Sequence, residues 1–200
     1  MKKNPQHLFR HNHKKIKEIL LSGGVVAFPT DTVWGLGCCP SSKKGVMRIY
    51  ELKKRDPQKP LILMSSQLDY LLPYVKGLNE EEKRIIGKHF PGALTLITQK
   101  SGLTMDYMTS DMDTVGIRIP NHRVFAELAE FASPLHLLAT TSANISTQKS
   151  PLCKEDVINY FGDEIDFIID DYGYYAEGLE STIIKYTDGW HVLRQGAVSV

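Results

Sequence analysis

The chain reads as an α/β fold, on three observations. Short β-branched or aromatic runs of strand length recur at residues 25–28, 61–64, 94–98, 114–119 and 137–139. Between them lie segments with apolar residues at helical spacing, such as Ile16, Ile19 and Leu20. The 200 residues show no linker, repeat or low-complexity block, so one domain over 1–200 with a substantial core is expected.

In order, a helix over 14–21 ends at Gly23-Gly24. Residues 25–28 form a strand, which Pro29 closes because it has no N–H for a ladder. Thr30, Asp31 and Thr32 then place two hydroxyls and a carboxylate at a strand end, where open α/β sheets bind ligands. Ser41 or Ser42 caps a helix over 42–54, whose apolar face is Val46, Ile49, Tyr50 and the Lys53 stem. It runs out in Lys53-Lys54-Arg55, and Pro57 and Pro60 forbid its continuation into the strand at 61–64.

Ser65 or Ser66 is expected to cap a short helix through Leu68, Leu71 and Leu72. Asn79 followed by three glutamates opens the next helix with the charge sign its dipole favours. Pro91-Gly92 makes a turn before strand 94–98. Residues 100–113 are polar and aperiodic, a loop that is either a lid or a plain surface excursion. In the next strand Val115, Ile117 and Ile119 share one face, and Thr114, Gly116 and Arg118 share the other. Asn121 caps a helix carrying Val124, Phe125, Leu128 and Phe131. Strand 137–139 ends in Thr140-Thr141-Ser142-Ala143-Asn144. A helix near 154–161, a strand at 167–169, a tyrosine-bearing loop over 173–180 and strands at 181–184 and 190–194 close the chain.

Lys plus Arg number 24 and Asp plus Glu 23, a net charge of +1. That balance argues against a nucleic-acid binder relying on bulk charge, though a locally basic cavity stays open. No long apolar run marks a signal peptide or membrane span, so a cytosolic location is expected. Cys38, Cys39 and Cys153 make no disulfide framework or metal spacing and read as small buried or half-buried residues. No metal site is expected; His11 and His13 read as part of a solvated helix.

Three features carry candidate chemistry, each beside a plainer reading. The Lys53-Lys54-Arg55 cations either complement a helix dipole in water or form a polyanion site between two strand ends. Arg118 either pairs with a structural carboxylate or grips a ligand's carboxylate or phosphate with its fork. Residues 140–144 either serve a backbone turn or donate to phosphate or ribose oxygens. Tyr172, Tyr174 and Tyr175 either cover a base or only pack.

PTDTVWGLG after GGVVAF, KKR with PL close behind, GIRIP, TTSANIS, GLESTII and a late LRQG follow one another in the order of the YrdC/TsaC family. Nearly the whole chain resembles that family's short threonylcarbamoyl-AMP synthases, and a YciO-type paralogue shares the pattern. Lys53, Arg55, Ser142 and Asn144 meet the family's Lys-x-Arg…Ser-x-Asn signature, so the resemblance makes them the catalytic set. Trp34, Asp56 and Thr140-Thr141 depart from commoner family residues without touching it.

The resemblance implies a twisted mixed sheet with flanking helices around a large basic cavity. It implies a nucleotidyltransferase that joins L-threonine, bicarbonate and ATP, with Mg2+ accompanying the nucleotide and pyrophosphate leaving. The product would pass to a threonylcarbamoyl-transferase complex that modifies tRNA, with tRNA itself a possible ligand. By motif position, Thr32, Arg118, Thr140 and Ser181 would hold threonine. Lys53, Arg55, Lys59, Thr114, Ser142, Asn144, Ser150 and Arg194 would surround the nucleotide. Two other classes compete: a non-catalytic double-stranded RNA or tRNA module, and a relative that uses carbamoyl phosphate or another carbamoyl-adenylate chemistry.

Overall fold

Strand β1 (Val26–Phe28) lies near one edge of a single nine-stranded sheet in the computed structural model, which describes residues 8–200. The others are β2 (Gly35–Cys38), β3 (Ile62–Ser65), β4 (Leu94–Gln99), β5 (Thr114–Arg118), β6 (Leu137–Ser142), β7 (Phe167–Ile168), β8 (Thr182–Tyr186) and β9 (Trp190–Arg194). Their order across the sheet is β7-β1-β2-β6-β3-β5-β4-β8-β9. Pairs β1–β7, β3–β5 and β4–β8 are parallel and the rest antiparallel, so the sheet is mixed, as expected.

The helices are α1 (His13–Leu21), α2 (Lys43–Lys53), α3 (Leu68–Leu71), α4 (Glu80–His89), α5 (Asp106–Thr109), α6 (Arg123–Glu127) and α7 (Lys154–Phe161). A π-helical turn, Leu128–Ala132, continues α6. Strand alternation splits the core in two. Leu36, Leu63, Leu96, Ile117, Ala139 and Ile184 point to one face, where they join Val46 and Ile49 of α2, Ile85 of α4 and Val157 of α7. Val26, Phe28, Met64 and Leu138 point to the other, against Ile16 and Leu20 of α1 and Val124, Phe125 and Leu128 of α6 and its extension. That second cover reaches only part of the sheet. The part it leaves open, over β6, β3, β5, β4 and β8, is where the cavity forms.

Strand β2 was not legible, because its two glycines look like turn residues. They are there for closeness: a Cβ on Gly35 or Gly37 would come within 2.7 or 2.8 Å of the Phe28 ring. Residues 140–142 lie inside β6, paired with Gly37, Leu36 and Gly35, and do not form a turn after it. Ser65 and Ser66 do not cap α3, whose N-cap is Gln67. Ser65 Oγ instead donates to the His136 carbonyl, and Ser66 Oγ to Glu130. Asn121 is likewise not a cap; α6 starts after His122, and Phe131 is exposed and stacked on His13.

The 100–113 segment is fastened down. Met108 is buried in the core, its carbonyl accepts from Leu61 N, and Tyr107 and Ser110 donate to the carbonyls of Pro40 and Pro57. Buried Met108 and Thr109 explain why a polar-looking stretch holds a short helix rather than a lid.

Helix α4 begins with a complete capping box: Asn79 Oδ1 accepts from Glu82 N, and Glu82 Oε2 accepts from Asn79 N, each at 2.9 Å. Asn79→Ala should lower unfolding free energy by about 1 kcal/mol, and Asn79→Asp by much less. Urea denaturation measures both. Equal losses for the two variants would show that the box adds nothing to the burial of Ile85 and Ile86.

Candidate functional site: a cation-lined cavity on the open half of the sheet

The cavity has a volume of about 140 Å³ and opens to solvent. Its floor is the outward face of β6, β3, β5 and β4, with Thr140, Ile62 and Met64, Arg118 and Thr95 contributed in turn. Gly116 shares that face with Arg118; a Cβ there would sit 2.6 Å from Ile62 Cγ2, so the strands pack closely only with glycine. One wall is the 30–35 segment and another is the 180–183 segment with Arg194 of β9.

Arg118 is 4% exposed and satisfies both sequence readings of it in part. Its Nε donates to the Gly92 carbonyl at 3.0 Å, Nη1 to Thr32 Oγ1 at 2.9 Å, and Nη2 to Asp31 Oδ1 at 2.5 Å. The carboxylate partner is therefore Asp31, from the strand-end turn. Each terminal nitrogen carries a second N–H, so a two-pronged contact with a ligand remains within the chemistry of the group. Burial pushes the guanidinium below its ordinary range, Asp31 opposes this, and the nearby Arg194 adds to it.

The hydroxyls of the turn are ordered. Thr30 Oγ1 donates to the Val33 carbonyl at 2.7 Å and lies 3.0 Å from Thr32 Oγ1. Its one proton is spent on Val33, so the second bond is donated by Thr32. Thr32 also accepts from Arg118. It is left with one lone pair and no donor, and it can meet a ligand only as an acceptor. Ser181 Oγ lies 2.8 Å from Thr95 Oγ1 and accepts from Arg194 Nη2 at 3.2 Å.

Lys53 is not a solvated dipole cation. It is 1% exposed, and its Nζ donates to Ser142 O at 2.5 Å, Asn144 O at 2.6 Å and Asn144 Oδ1 at 3.1 Å. Ser142 Oγ donates to the same Oδ1, and Asn144 Nδ2 donates to Gln148 O. The four signature residues thus divide. Lys53 and Asn144 stand behind the wall and fix it, while Arg55 and Ser142 line the cavity. Burial, then Arg55, pushes the Lys53 ammonium down to about 7, with Glu180 opposing. Arg55 is held by Nε and Nη2 bonds of 3.0 Å to the carbonyls of Lys59 and Pro60. No carboxylate among the described residues lies within ion-pair distance of it.

Of the other sequence candidates, Thr140, Ser181 and Arg194 line the cavity. Ser150 adjoins it through a 2.6 Å bond to Glu180 Oε1. Two are not brought in. Thr114 is on the right face but four residues along β5 from Arg118, roughly 13 Å at strand rise, and lines a separate pocket with Asn79 and Gln99. Lys59 is exposed, and what it supplies is a carbonyl that Arg55 and Tyr50 use. The loop tyrosines turn away: Tyr172 stacks on Phe9 and Tyr174 bonds Arg123. Sequence reasoning missed Glu180 as a wall residue, although it sits inside the GLESTII motif.

A mixed α/β sheet with an arginine-lined cavity on its half-covered face has chemistry suited to small anionic ligands. The chain belongs to the Sua5/YciO/YrdC family, whose model, described as telomere recombination, matches residues 18–196. It is 37% identical over 166 residues to a threonylcarbamoyl-AMP synthase of Pyrococcus abyssi (strain GE5 / Orsay). That match covers 83% of this chain and 48% of the relative, so the chain spans about half that protein's length. A threonylcarbamoyl-AMP synthase of Buchnera aphidicola subsp. Schizaphis graminum is 33% identical over 168 residues, covering 82% of this chain and 86% of the relative. The crystal structure of P. abyssi Sua5 complexed with L-threonine superposes with a TM-score of 0.88 at 33% identity, over 96% of this chain and 56% of that one. The crystal structure of E. coli YciO gives 0.81 at 25% identity, over 95% and 91%. No helix of the described residues is long and apolar enough to cross a membrane.

The depressed Lys53 pKa has a definite consequence for stability. Below about pH 7 folded and unfolded chains both hold the proton. Between there and roughly 10.4, the ordinary lysine value, the unfolded chain holds it and the folded one has lost it. Stability therefore rises with pH across that window. Compared with Lys53→Met, the wild type should gain up to about 4 kcal/mol from the bottom of the window to the top. Urea titrations at a series of pH values give the difference. A flat difference would mean that the three acceptor oxygens hold the proton in place.

Proposed function

We propose that this chain is an L-threonylcarbamoyladenylate synthase. The observation that carries the reading is one cavity holding a buried arginine beside the Thr32 acceptor, together with Arg55, Ser142 and Arg194. The first pair suits an α-amino acid, whose carboxylate takes the remaining N–H groups of Arg118 and whose hydroxyl donates to Thr32. The second set suits a nucleotide's phosphates, with Ser150 beside it and Lys53 and Asn144 holding Ser142 in position. Thr140 and Ser181 bound the threonine end. The P. abyssi protein solved with L-threonine supports this assignment.

The chemistry joins two anions. Threonine's amine attacks the carbon of bicarbonate, and loss of water leaves an N-carboxylate. A carbamate oxygen then attacks the α-phosphorus of ATP, and pyrophosphate departs. Carbamate and triphosphate repel each other, and cations in the walls offset that repulsion and stabilise charge at phosphorus. Fixing both partners supplies the rest, since the transfer needs little covalent help from the protein. Mg2+ enters with the nucleotide, held mainly by phosphates and water. The labile product passes to a transferase that modifies tRNA, in the cytosol where ATP and tRNA meet.

Purified protein given ATP, bicarbonate and labelled threonine should release pyrophosphate and form threonylcarbamoyl-AMP. Valine should be turned over far less, because Thr32 then faces a methyl group and its lone pair goes unmet, a loss of roughly 1–3 kcal/mol. Equal turnover of valine and threonine would refute the Thr32 assignment. Arg118→Lys tests the other end of the amino acid. Lysine keeps the charge and loses the fork. The Michaelis constant for threonine should rise about ten-fold or more while that for ATP holds steady. The melting temperature should also fall, since Gly92 and Asp31 lose a partner. Parallel loss for both substrates would make Arg118 a strut only.

A further inference from the structure

Glu180 is the one carboxylate among the cavity-lining residues, in a site otherwise furnished with arginines and hydroxyls. Its two oxygens are both engaged. Oε2 pairs with Arg194 Nη1, and Oε1 accepts from Ser150 Oγ at 2.6 Å. These are two of the donors that the synthase reading gives to the nucleotide's phosphates. The ion pair is not locked away, for the Glu180 side chain is 34% exposed and that of Arg194 is 41% exposed. Arg194 has further anchors that do not depend on Glu180: Nε and Nη2 donate to the Ser181 carbonyl at 3.2 and 2.9 Å, and Nη2 also reaches Ser181 Oγ.

We propose that Glu180 is a resident anion which holds the phosphate seat of Arg194 and Ser150 and is displaced when a nucleotide's phosphates arrive. The inference rests on the synthase reading and deepens it, by making Glu180 a positioning residue of the nucleotide subsite. With its side chain in place, Arg194 and Ser150 are held in a binding geometry. The seat is a carboxylate's, with one charged and one hydroxyl donor converging on two oxygens, and a phosphate offers the same pair of acceptors. Because an anion must leave before an anion can bind, the cavity holds its phosphate ligands less tightly than its arginines alone would. Pyrophosphate release benefits from the same competition. The backbone of Glu180 stays fixed during the exchange, since its carbonyl accepts from Ala197 N. Only the side chain needs to move.

A strut and a resident anion predict opposite signs, which makes the test direct. Glu180→Gln keeps one oxygen acceptor, for Ser150 or for Arg194, turns the other oxygen into an amide donor, and removes the charge. Binding of ATP, pyrophosphate and adenosine to wild type and variant is measured by calorimetry at one salt concentration, with a melting curve on each preparation. The variant should bind ATP and pyrophosphate roughly five-fold more tightly, the scale of a partly exposed ion pair, and adenosine unchanged. Glu180→Ala, which removes the acceptors as well, should shift the phosphate ligands in the same direction. Unchanged or weaker ATP and pyrophosphate binding by folded Glu180→Gln would overturn the inference and leave Glu180 a strut between β9 and the 150 segment. Tightening that extends equally to adenosine would also overturn it, since the effect would not be on phosphate. A wild type that binds neither ATP nor pyrophosphate would overturn the synthase reading, and this inference with it.

Discussion

The site depends on one buried cation. Lys53 comes from the last turn of α2, on the face of the sheet opposite the cavity, and its ammonium ends among the oxygens of Ser142 and Asn144. An ammonium out of water is costly unless every proton finds an acceptor. Here three acceptors meet three protons, and none of them is a carboxylate. The charge is compensated only by dipoles, and the depressed pKa records what that leaves unmet. The arrangement joins two distant stretches of chain at one atom. It sets where Ser142 faces the cavity.

The cavity itself follows from an imbalance in how the sheet is covered. One face is covered by α2, α4 and α7, and the strands present mostly apolar residues to it. The other face is covered by α1 and α6 over β1, β2 and parts of β6 and β3. On the rest, the alternating positions change character from Phe28 and Leu138 to Thr95, Arg118, Thr140 and Ser142. The strands that build the site are thus the same strands that build the core, one register position apart. That shared origin is why the functional groups sit on rigid elements, within a sheet where a single slip would exchange arginine for isoleucine.

This is also why much of the site was legible and some was not. Alternation put Arg118 opposite Ile117 and Ile119, and strand ends at Thr30–Thr32 and Thr140–Ser142 stood out by their hydroxyls. Periodicity, however, marks a face and says nothing of distance along it, which is how Thr114 came to be grouped with Arg118 though it opens onto another pocket. Strand β2 was hidden because glycine reads as a turn, while its actual use is to let β2 lie against the Phe28 ring. The serines at 65 and 66 have the right chemistry for a cap, and tertiary partners at His136 and Glu130 claimed them instead. Glu180 was passed over since a lone acid in an anion site has no motif logic until its partners Arg194 and Ser150 are seen beside it.

Charge in the cavity is nearly balanced in place, and the exception is informative. Arg118 has Asp31, and Arg194 has Glu180. Arg55 is bonded to the carbonyls of its own loop, at Lys59 and Pro60, and no carboxylate among the described residues forms an ion pair with it. A guanidinium bonded to carbonyl oxygens stays charged, so the positive potential of the lining that no carboxylate offsets by an ion pair is concentrated at Arg55. The two paired arginines differ in turn. Asp31–Arg118 is deeply buried and tied to Thr32 and Gly92, so it serves as fixed architecture with two N–H groups to spare. Glu180–Arg194 is half-exposed and open to exchange. An anionic ligand therefore meets three different cations: one unpaired, one exchangeable and one already fixed in orientation. Under the proposed synthase reaction, which would bring a triphosphate and a carbamate together, that gradation would let the more highly charged partner settle at Arg55 and Arg194 without disturbing the arginine that orients the smaller one.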